Sequence, residues 1–417
     1  MSAVQDSPPP VQTLKKPTIV YLLIIGASKL IGSLFATVQM VYFASNVTQD
    51  PLRLVLIWTV FQISVLLFEV PTGVVADVYS RRLSVILGFF VMGVGSLIVG
   101  GFANYFLVLL GMVVLGVADS FLSGALDAWV ADEIGQDRVG SVYLRGSQIA
   151  QLAILAGIPI GTALGTIALN LPIILSSALY LLLGLVLIGI MPEEGFQPIP
   201  AETRESWRTL FQTFWDGVQL VRGRSVLMTI LVISAVAGIS TTGFEGLWTA
   251  HMLEHIAFPV VGNLEPVVWF GVINATVSIL SLLGMEFFRR RVDVSSQTAM
   301  VRMLTITSCV TAFCMTAFGV LGNFWLAAAI YSLGYALRIA SSPISTAWIN
   351  QNVDSKVRAT VLSMDNQVNY LGRMTGGPIV GAIGSAFSLP VALITTGLAR
   401  IPITILYARI LAKGKES

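Results

Sequence analysis

Charged side chains stand inside apolar stretches of this chain, at spacings that put them on common helix faces. Asp119, Ser123 and Asp127 follow at four-residue steps, and so do Asp365, Asn369 and Arg373. Ser141, Arg145 and Gln148 share a face, as do Gly334, Arg338, Ser341, Ser342 and Ser345, because residues three and four apart are neighbours on a helix. An ionisable group in hydrocarbon is costly unless it meets a partner or water. Polar stripes on several helices are therefore what a central aqueous cavity requires. The chemistry open to them is the capture and release of protons and of a polar solute. Asp119, Asp127, Glu69, Asp365 and Glu245 are the candidate proton carriers, because burial favours the neutral form of a carboxylic acid. Lys29 is expected to line the same space, and Arg400 to be structural. Glu69 stands two residues before Pro71, so it is read equally as a proton carrier or as part of a conformational latch. Glu245 and Trp248 are read as a gate or substrate contact, or else as interface anchors. His251 and His255 are placed in a solvated outer loop.

The rest of the chemistry is thin. There is no His-Glu-x-x-His run, no Gly-x-Ser-x-Gly elbow and no phosphate-binding Gly-x-x-x-x-Gly-Lys loop. Cys309 and Cys314, five residues apart in one apolar run, turn to different helix faces and read as packing residues. Enzymatic activity, a metal site and a cofactor are not expected.

The elements that must position these groups are membrane helices. The chain is 55% hydrophobic and 11% charged, against about 25% charged in soluble domains. A hydrocarbon core needs roughly 20 apolar residues per helix. Twelve such segments can be marked: 18–44, 52–76, 83–101, 105–131, 140–168 and 171–191, then 226–250, 266–288, 298–318, 323–348, 360–387 and 389–411. The expected fold is all-α, with twelve transmembrane helices in two pseudo-symmetric six-helix bundles. With both termini inside, most of the 24 basic residues fall in cytoplasmic segments and only Arg53 falls outside. A multi-pass protein of the inner or plasma membrane follows.

A repeat supports the two halves. Between Ala128 and Gly165 the chain matches Ala347 to Gly384 at a constant offset of 219. Ala128-Trp129 returns as Ala347-Trp348, and Gly157, Pro159 and Gly165 return as Gly376, Pro378 and Gly384. A doubled bundle of this kind suggests a transporter. Asp119 and Arg338 are related by the same offset and are expected to pair, or to line the cavity from opposite halves. Residues 1–17 read as a disordered cytoplasmic tail, 18–191 as the N-terminal bundle, 225–411 as the C-terminal bundle and 412–417 as a second tail. Within the linker at 192–224, Trp207, Leu210, Phe211, Phe214, Trp215, Val218 and Val221 share one helix face. That face suits the headgroup layer or the underside of the bundle.

After the second segment the chain reads Gly73-Val-Val-Ala76-Asp77-Val-Tyr-Ser-Arg81-Arg82. This Gly-x-x-x-Asp-x-x-x-Arg-Arg run resembles the loop between helices two and three of the major facilitator superfamily. The resemblance covers the whole chain and implies alternating access, with Gly73, Asp77, Arg81 and Arg82 as a latch. In that loop Gly73 would permit close helix approach, and Asp77 would accept hydrogen bonds from a neighbouring helix N-terminus. The second half keeps a degenerate copy, Glu286-Phe-Phe-Arg289-Arg290-Arg291. Glu69 to Asp77, Gly124 to Glu133 and Phe244 to His251 look like bacterial drug-efflux members. Two departures weaken that likeness. Ser120 stands where many proton-coupled members have arginine, and Gly157-Ile-Pro159 splits the Gly-Pro pair of the antiporter signature. The unsplit Gly377-Pro378 lies in the repeat partner. These glycines and prolines are also explained by close packing and helix breaks alone. The resemblance implies a secondary transporter of a small molecule, coupled to protons, with export of drugs or amphipathic compounds as the leading reading. Import of an organic anion is the alternative, and a non-transporting receptor or scaffold the minor one. It also implies a monomer in the lipid bilayer, with no nucleic-acid partner.

Overall fold

The computed structural model describes residues 16–198, 225–262, 264–353 and 358–413. The amphipathic face at Trp207–Val221 lies outside these residues. Lys16, Pro17, Ala412 and Lys413 belong to helices rather than to tails.

Among the described residues the helices in chain order are α1 (Lys16–Tyr42), α2 (Pro51–Val74), α3 (Arg81–Gly101), α4 (Tyr105–Leu122), α5 (Ala125–Ile134), α6 (Gln136–Gly165) and α7 (Leu171–Ile190). They continue as α8 (Ser225–His255), α9 (Pro266–Arg291), α10 (Gln297–Phe318), α11 (Phe324–Asn352), α12 (Arg358–Ala386), α13 (Leu389–Ala399) and α14 (Ile401–Lys413). Short π-helical turns, Phe43–Val47 and Val75–Tyr79, extend α1 and α2. Among the described residues, eleven spans are long and apolar enough to cross a membrane. The one further expected span, the eleventh in chain order, is α12, equally long but made more polar by Asp365, Asn366, Asn369 and Arg373.

Two spans expected to be continuous are broken. The fourth is split into α4 and α5, because Gly124 takes φ +73°, a left-handed conformation open to glycine at little steric cost. The twelfth is split at Arg400 into α13 and α14. Pro402 follows and cannot donate to the helical ladder. His251 and His255 are not in a loop but close α8. His251 is 1% exposed, stacked against His255 with ring centroids 5.0 Å apart.

Glycine contacts set the helix pairs. A Cβ added at Gly157 would stand 2.7 Å from the Ser33 Cβ and 2.8 Å from the Leu30 carbonyl oxygen, so α6 lies hard against α1. The repeat partner Gly376 presses α12 against the Ile239 backbone of α8 in the same way. The two helix pairs are the most extensive in their halves. The repeat thus preserves a packing geometry, the close approach that small residues permit between membrane helices.

The halves meet unevenly. α2 packs on α12 and α8, and α9 packs on α6. One hydrophobic cluster crosses between them: Val38, Phe43, Leu54 and Val55 from the first half join Phe244, Trp248, Val267 and Phe270 from the second. Toward the end carrying Arg81 and Arg289 the packing separates into one cluster per half, around Trp129 and around Trp348.

The packing account predicts opposite outcomes for two glycines. Gly376→Ala should cost about 1–3 kcal/mol by overpacking against backbone. Gly73→Ala meets nothing within 4 Å and should be neutral or gain up to about 1 kcal/mol in helix propensity. Thermal unfolding in detergent checks both, and equal effects would refute the packing account.

Candidate functional site: a central cavity between the halves

Two lobes of one cavity lie along the interface, about 750 and 560 Å³ in volume. They share Ala36, Thr37, Asn274, Val277 and Tyr335. Helices α1 to α7 from the first half and α8, α9, α11 and α12 from the second supply the walls.

The first lobe holds Lys29, Asp119 and Asp127, with Ser123 and Gly124 between the two acids. The break at Gly124 keeps all of them on the cavity although no continuous helix carries the stripe. Tyr21 donates a hydrogen bond to the Asp127 carboxylate at 3.3 Å, and Tyr143 donates to the Asp127 carbonyl at 2.9 Å. Asp119 and Lys29 face the same lobe, and Tyr370 of α12 lines the second.

The second lobe is organised by Glu245. Its carboxylate accepts from Arg338 Nη2 at 2.7 Å, from the Tyr335 hydroxyl at 3.1 Å and from Arg373 Nη1 at 3.4 Å. Arg338 also lies 4.4 Å over the Tyr335 ring, a cation–π arrangement. Trp248 stacks on Tyr331 with centroids 4.0 Å apart. Arg373 Nε donates to Asn369 Oδ1 at 3.1 Å, and Asn369 Nδ2 donates to the Ser234 carbonyl at 3.0 Å. Ser234 also donates to Asp365.

Most of the expected residues converge here. Lys29, Asp119, Asp127, Glu245, Trp248, Asn369 and Arg373 line the lobes. Arg338 stands behind Glu245. The expected Asp119–Arg338 pair does not form, because Glu245 on the neighbouring helix of the same half satisfies the guanidinium at shorter range. Arg145 is exposed on α6 and lines neither lobe. Glu69 is exposed on α2. Arg400 is buried and donates to Ser240 Oγ at 3.2 Å. Sequence reading missed Tyr331 and Tyr335, although Tyr331, Tyr335 and Arg338 follow at four and three residues on one face of α11.

The two ends differ. Ser385 of α12 accepts a hydrogen bond from the Leu52 amide at 3.0 Å and donates to Asp50 at 2.6 Å. Asp50 also caps α2 through the Leu52 amide at 2.8 Å. This clasp joins the halves at the end away from Arg81. At the basic end Arg81 pairs with Asp132, within the first half. Glu193 accepts from Ser80 Oγ at 2.6 Å and from the Arg82 amide at 2.9 Å. It is therefore Glu193, not Asp77, that takes the N-terminus of α3. Gly73 meets no neighbour within 4 Å of an added Cβ, so it makes no close approach here. Gly377 and Pro378 sit in the interior of α12. A Cβ on Gly377 would lie 2.8 Å from Val55 Cγ1 of the opposite half. Pro159 lies inside α6, exposed.

Burial pushes the Asp50 carboxyl up, but the Ser385 hydroxyl and the Leu52 and Arg53 amides outweigh it and hold the group below the usual carboxylate range. A lowered pKa means that the clasp is at full strength above that range and weakens as pH falls through the lowered value. Spin-label distances across the Asp50 end should lengthen on acidification. Asp50→Asn should remove this response, and an unchanged response would rule the clasp out as its source. Glu245→Ala should destabilise by about 3 kcal/mol through stranding two guanidiniums, and Arg373→Ala by less. The reverse order in thermal unfolding would contradict the arrangement.

Comparison with known proteins agrees with this architecture. Residues 18–377 match the Major Facilitator Superfamily. Over 394 residues the chain is 21% identical to the uncharacterized MFS-type transporter YxaM of Bacillus subtilis (strain 168), covering 92% of this chain and 93% of that one. The crystal structure of the nucleoside transporter NupG superposes with TM-score 0.72 at 14% identity, over 94% of this chain and 98% of the other. A POT family transporter in complex with 5-aminolevulinic acid gives TM-score 0.72 at 12% identity, over 95% and 96%. The family and these neighbours are transporters, and the all-helical fold is theirs. With its doubled bundle and central cavity, the chain belongs to the Major Facilitator Superfamily and is a multi-pass membrane transporter.

Proposed function

We propose that the protein is a proton-coupled secondary transporter, working by alternating access around the central cavity, and that it exports amphipathic aromatic compounds. The observation that carries this reading is the state of Asp119. Glu245 is held by three donors, Asp365 by Ser234 and Asp127 by Tyr21. Asp119 lies on the cavity with no hydrogen bond or ion pair among the described residues, in the lobe that Lys29 also lines. It is free to exchange a proton with cavity water without breaking a network.

In this reading the basic end faces the cytoplasm and the clasped end faces outside. A solute enters from the cytoplasm while Asp119 is ionised and balanced by Lys29. The halves rock, the Asp50–Ser385 clasp opens, and a proton from outside neutralises Asp119 as the solute leaves. The protonated carrier returns and releases the proton inside. Gly73, Asp77, Arg81 and Arg82 would bear on the closed state of the basic end.

A second reading, import of an organic anion with protons, is favoured by one observation: Arg373 lines the cavity and shares a single carboxylate with Arg338.

Reconstituted protein with an imposed pH gradient separates the readings. Export by antiport predicts solute movement against the proton flow, substrate-induced proton release, and loss of both in Asp119→Asn with binding retained. Co-directional flux supports the importer. Unchanged coupling in Asp119→Asn removes that residue from the mechanism, and no gradient-driven flux across a broad solute panel refutes transport coupling.

A further inference from the structure

The second lobe sets two guanidiniums on one carboxylate. Arg338 and Arg373 share the one carboxylate of Glu245, and the two contacts are unequal: 2.7 Å to Arg338 and 3.4 Å to Arg373. Arg338 is further occupied by the Tyr335 ring and lies behind Glu245, whereas Arg373 is on the cavity wall. Within this lobe the less tightly held guanidinium is that of Arg373, while the acids Asp119 and Asp127 face the other lobe. A guanidinium facing a cavity in a low-dielectric bundle recruits an anion, and carboxylate fits its fork.

The lobe is also lined by aromatic rings. Trp58, Phe61, Trp248 and Phe270 line the same lobe, and Trp248 meets Phe270 edge to face at 5.4 Å. Flat apolar rings at these positions accept another flat ring. Among the described residues, three buried oxygens of residues lining this lobe lack a partner: Gln39 Oε1, Thr242 Oγ1 and Thr249 Oγ1. Their residues are 9%, 3% and 0% exposed. A buried polar atom without a partner is costly, and of these residues Gln39 has the flexible side chain that can turn its amide toward a donor in the lobe. Gln39 Oε1 can only accept.

We infer that the second lobe binds a small aromatic carboxylate bearing a ring N–H or O–H. The carboxylate docks on Arg373, the ring lies between Trp58 and Trp248, and the ring donor serves Gln39. The inference rests on reading the cavity as the transport site and names its substrate class.

Equilibrium binding to the purified full chain, by scintillation proximity, tests it with four probes: indole-3-acetate, its 1-methyl derivative, indole-3-acetamide and tryptamine. Indole-3-acetate should bind about tenfold or more tighter than the amide, since a charge-assisted hydrogen bond is lost. Tryptamine should bind weakest. Methylation should cost severalfold, and Gln39→Leu should erase that difference while leaving the methyl derivative unaffected. Arg373→Gln should abolish the preference for the acid over the amide, and Arg373→Lys should keep part of it, which separates charge recognition from misfolding. Equal affinity for acid and amide in the wild type overturns the inference, as does a preference that survives Arg373→Gln. Probe binding without gradient-driven flux would refute the transport reading alone. Flux of other solutes without acid selectivity would refute the substrate class alone.

Discussion

Hydrocarbon does not solvate charge, and the interior of this bundle is arranged around that constraint. Lys29, Asp119, Glu245 and Arg373 turn onto one seam. Arg338 is bonded to Glu245 and Arg400 to Ser240. Lipid-facing positions are then left to residues such as Leu182, Leu185 and Ile188. The cavity follows from this sorting: charged groups drawn inward from both halves need water or a ligand between them.

Glycine gives the sorting its geometry. Gly157 and Gly376 bring α6 onto α1 and α12 onto α8 until backbones touch. Gly381 does the same across the halves against the Leu52 and Pro51 backbone, and Gly384 lies against the Pro51 ring. The halves are thus in contact through backbone and a shared hydrophobic cluster at the Asp50 end, and through separate clusters at the basic end. A packed interface has discrete alternatives rather than continuous deformation, which is what alternating access needs.

The fold was legible because its signals are periodic and long. Apolar segments, the 219-residue repeat and the Gly73–Arg82 run each depend on many residues. The repeat turned out to report helix packing: Gly157, Gly376 and the buried tryptophans Trp129 and Trp348 carry it, and none of them lines the cavity. The site was legible only as a set of residues. Helical spacing placed Asp119, Asn369 and Arg373 on one side of their helices, but could not say which acid met which base. Symmetry suggested Asp119 with Arg338, whereas the partner was Glu245, ninety-three positions away in sequence. The breaks at Gly124 and Arg400 were invisible to hydropathy, since both sit inside apolar runs. His251 and His255 were misplaced because two histidines weaken an apolar pattern without ending the helix.

The central claim is that the two halves close one end of the cavity as they open the other. Pulsed electron–electron distance measurements on a Cys309→Ser, Cys314→Ser background test it most directly. One label pair, Gln49→Cys with Phe387→Cys, spans the Asp50 end, and a second, Arg138→Cys with Gln351→Cys, spans the basic end. The account predicts that any change of pH or ligand that lengthens the first distance shortens the second. Two distances that stay fixed under all conditions, or that lengthen together, would contradict it.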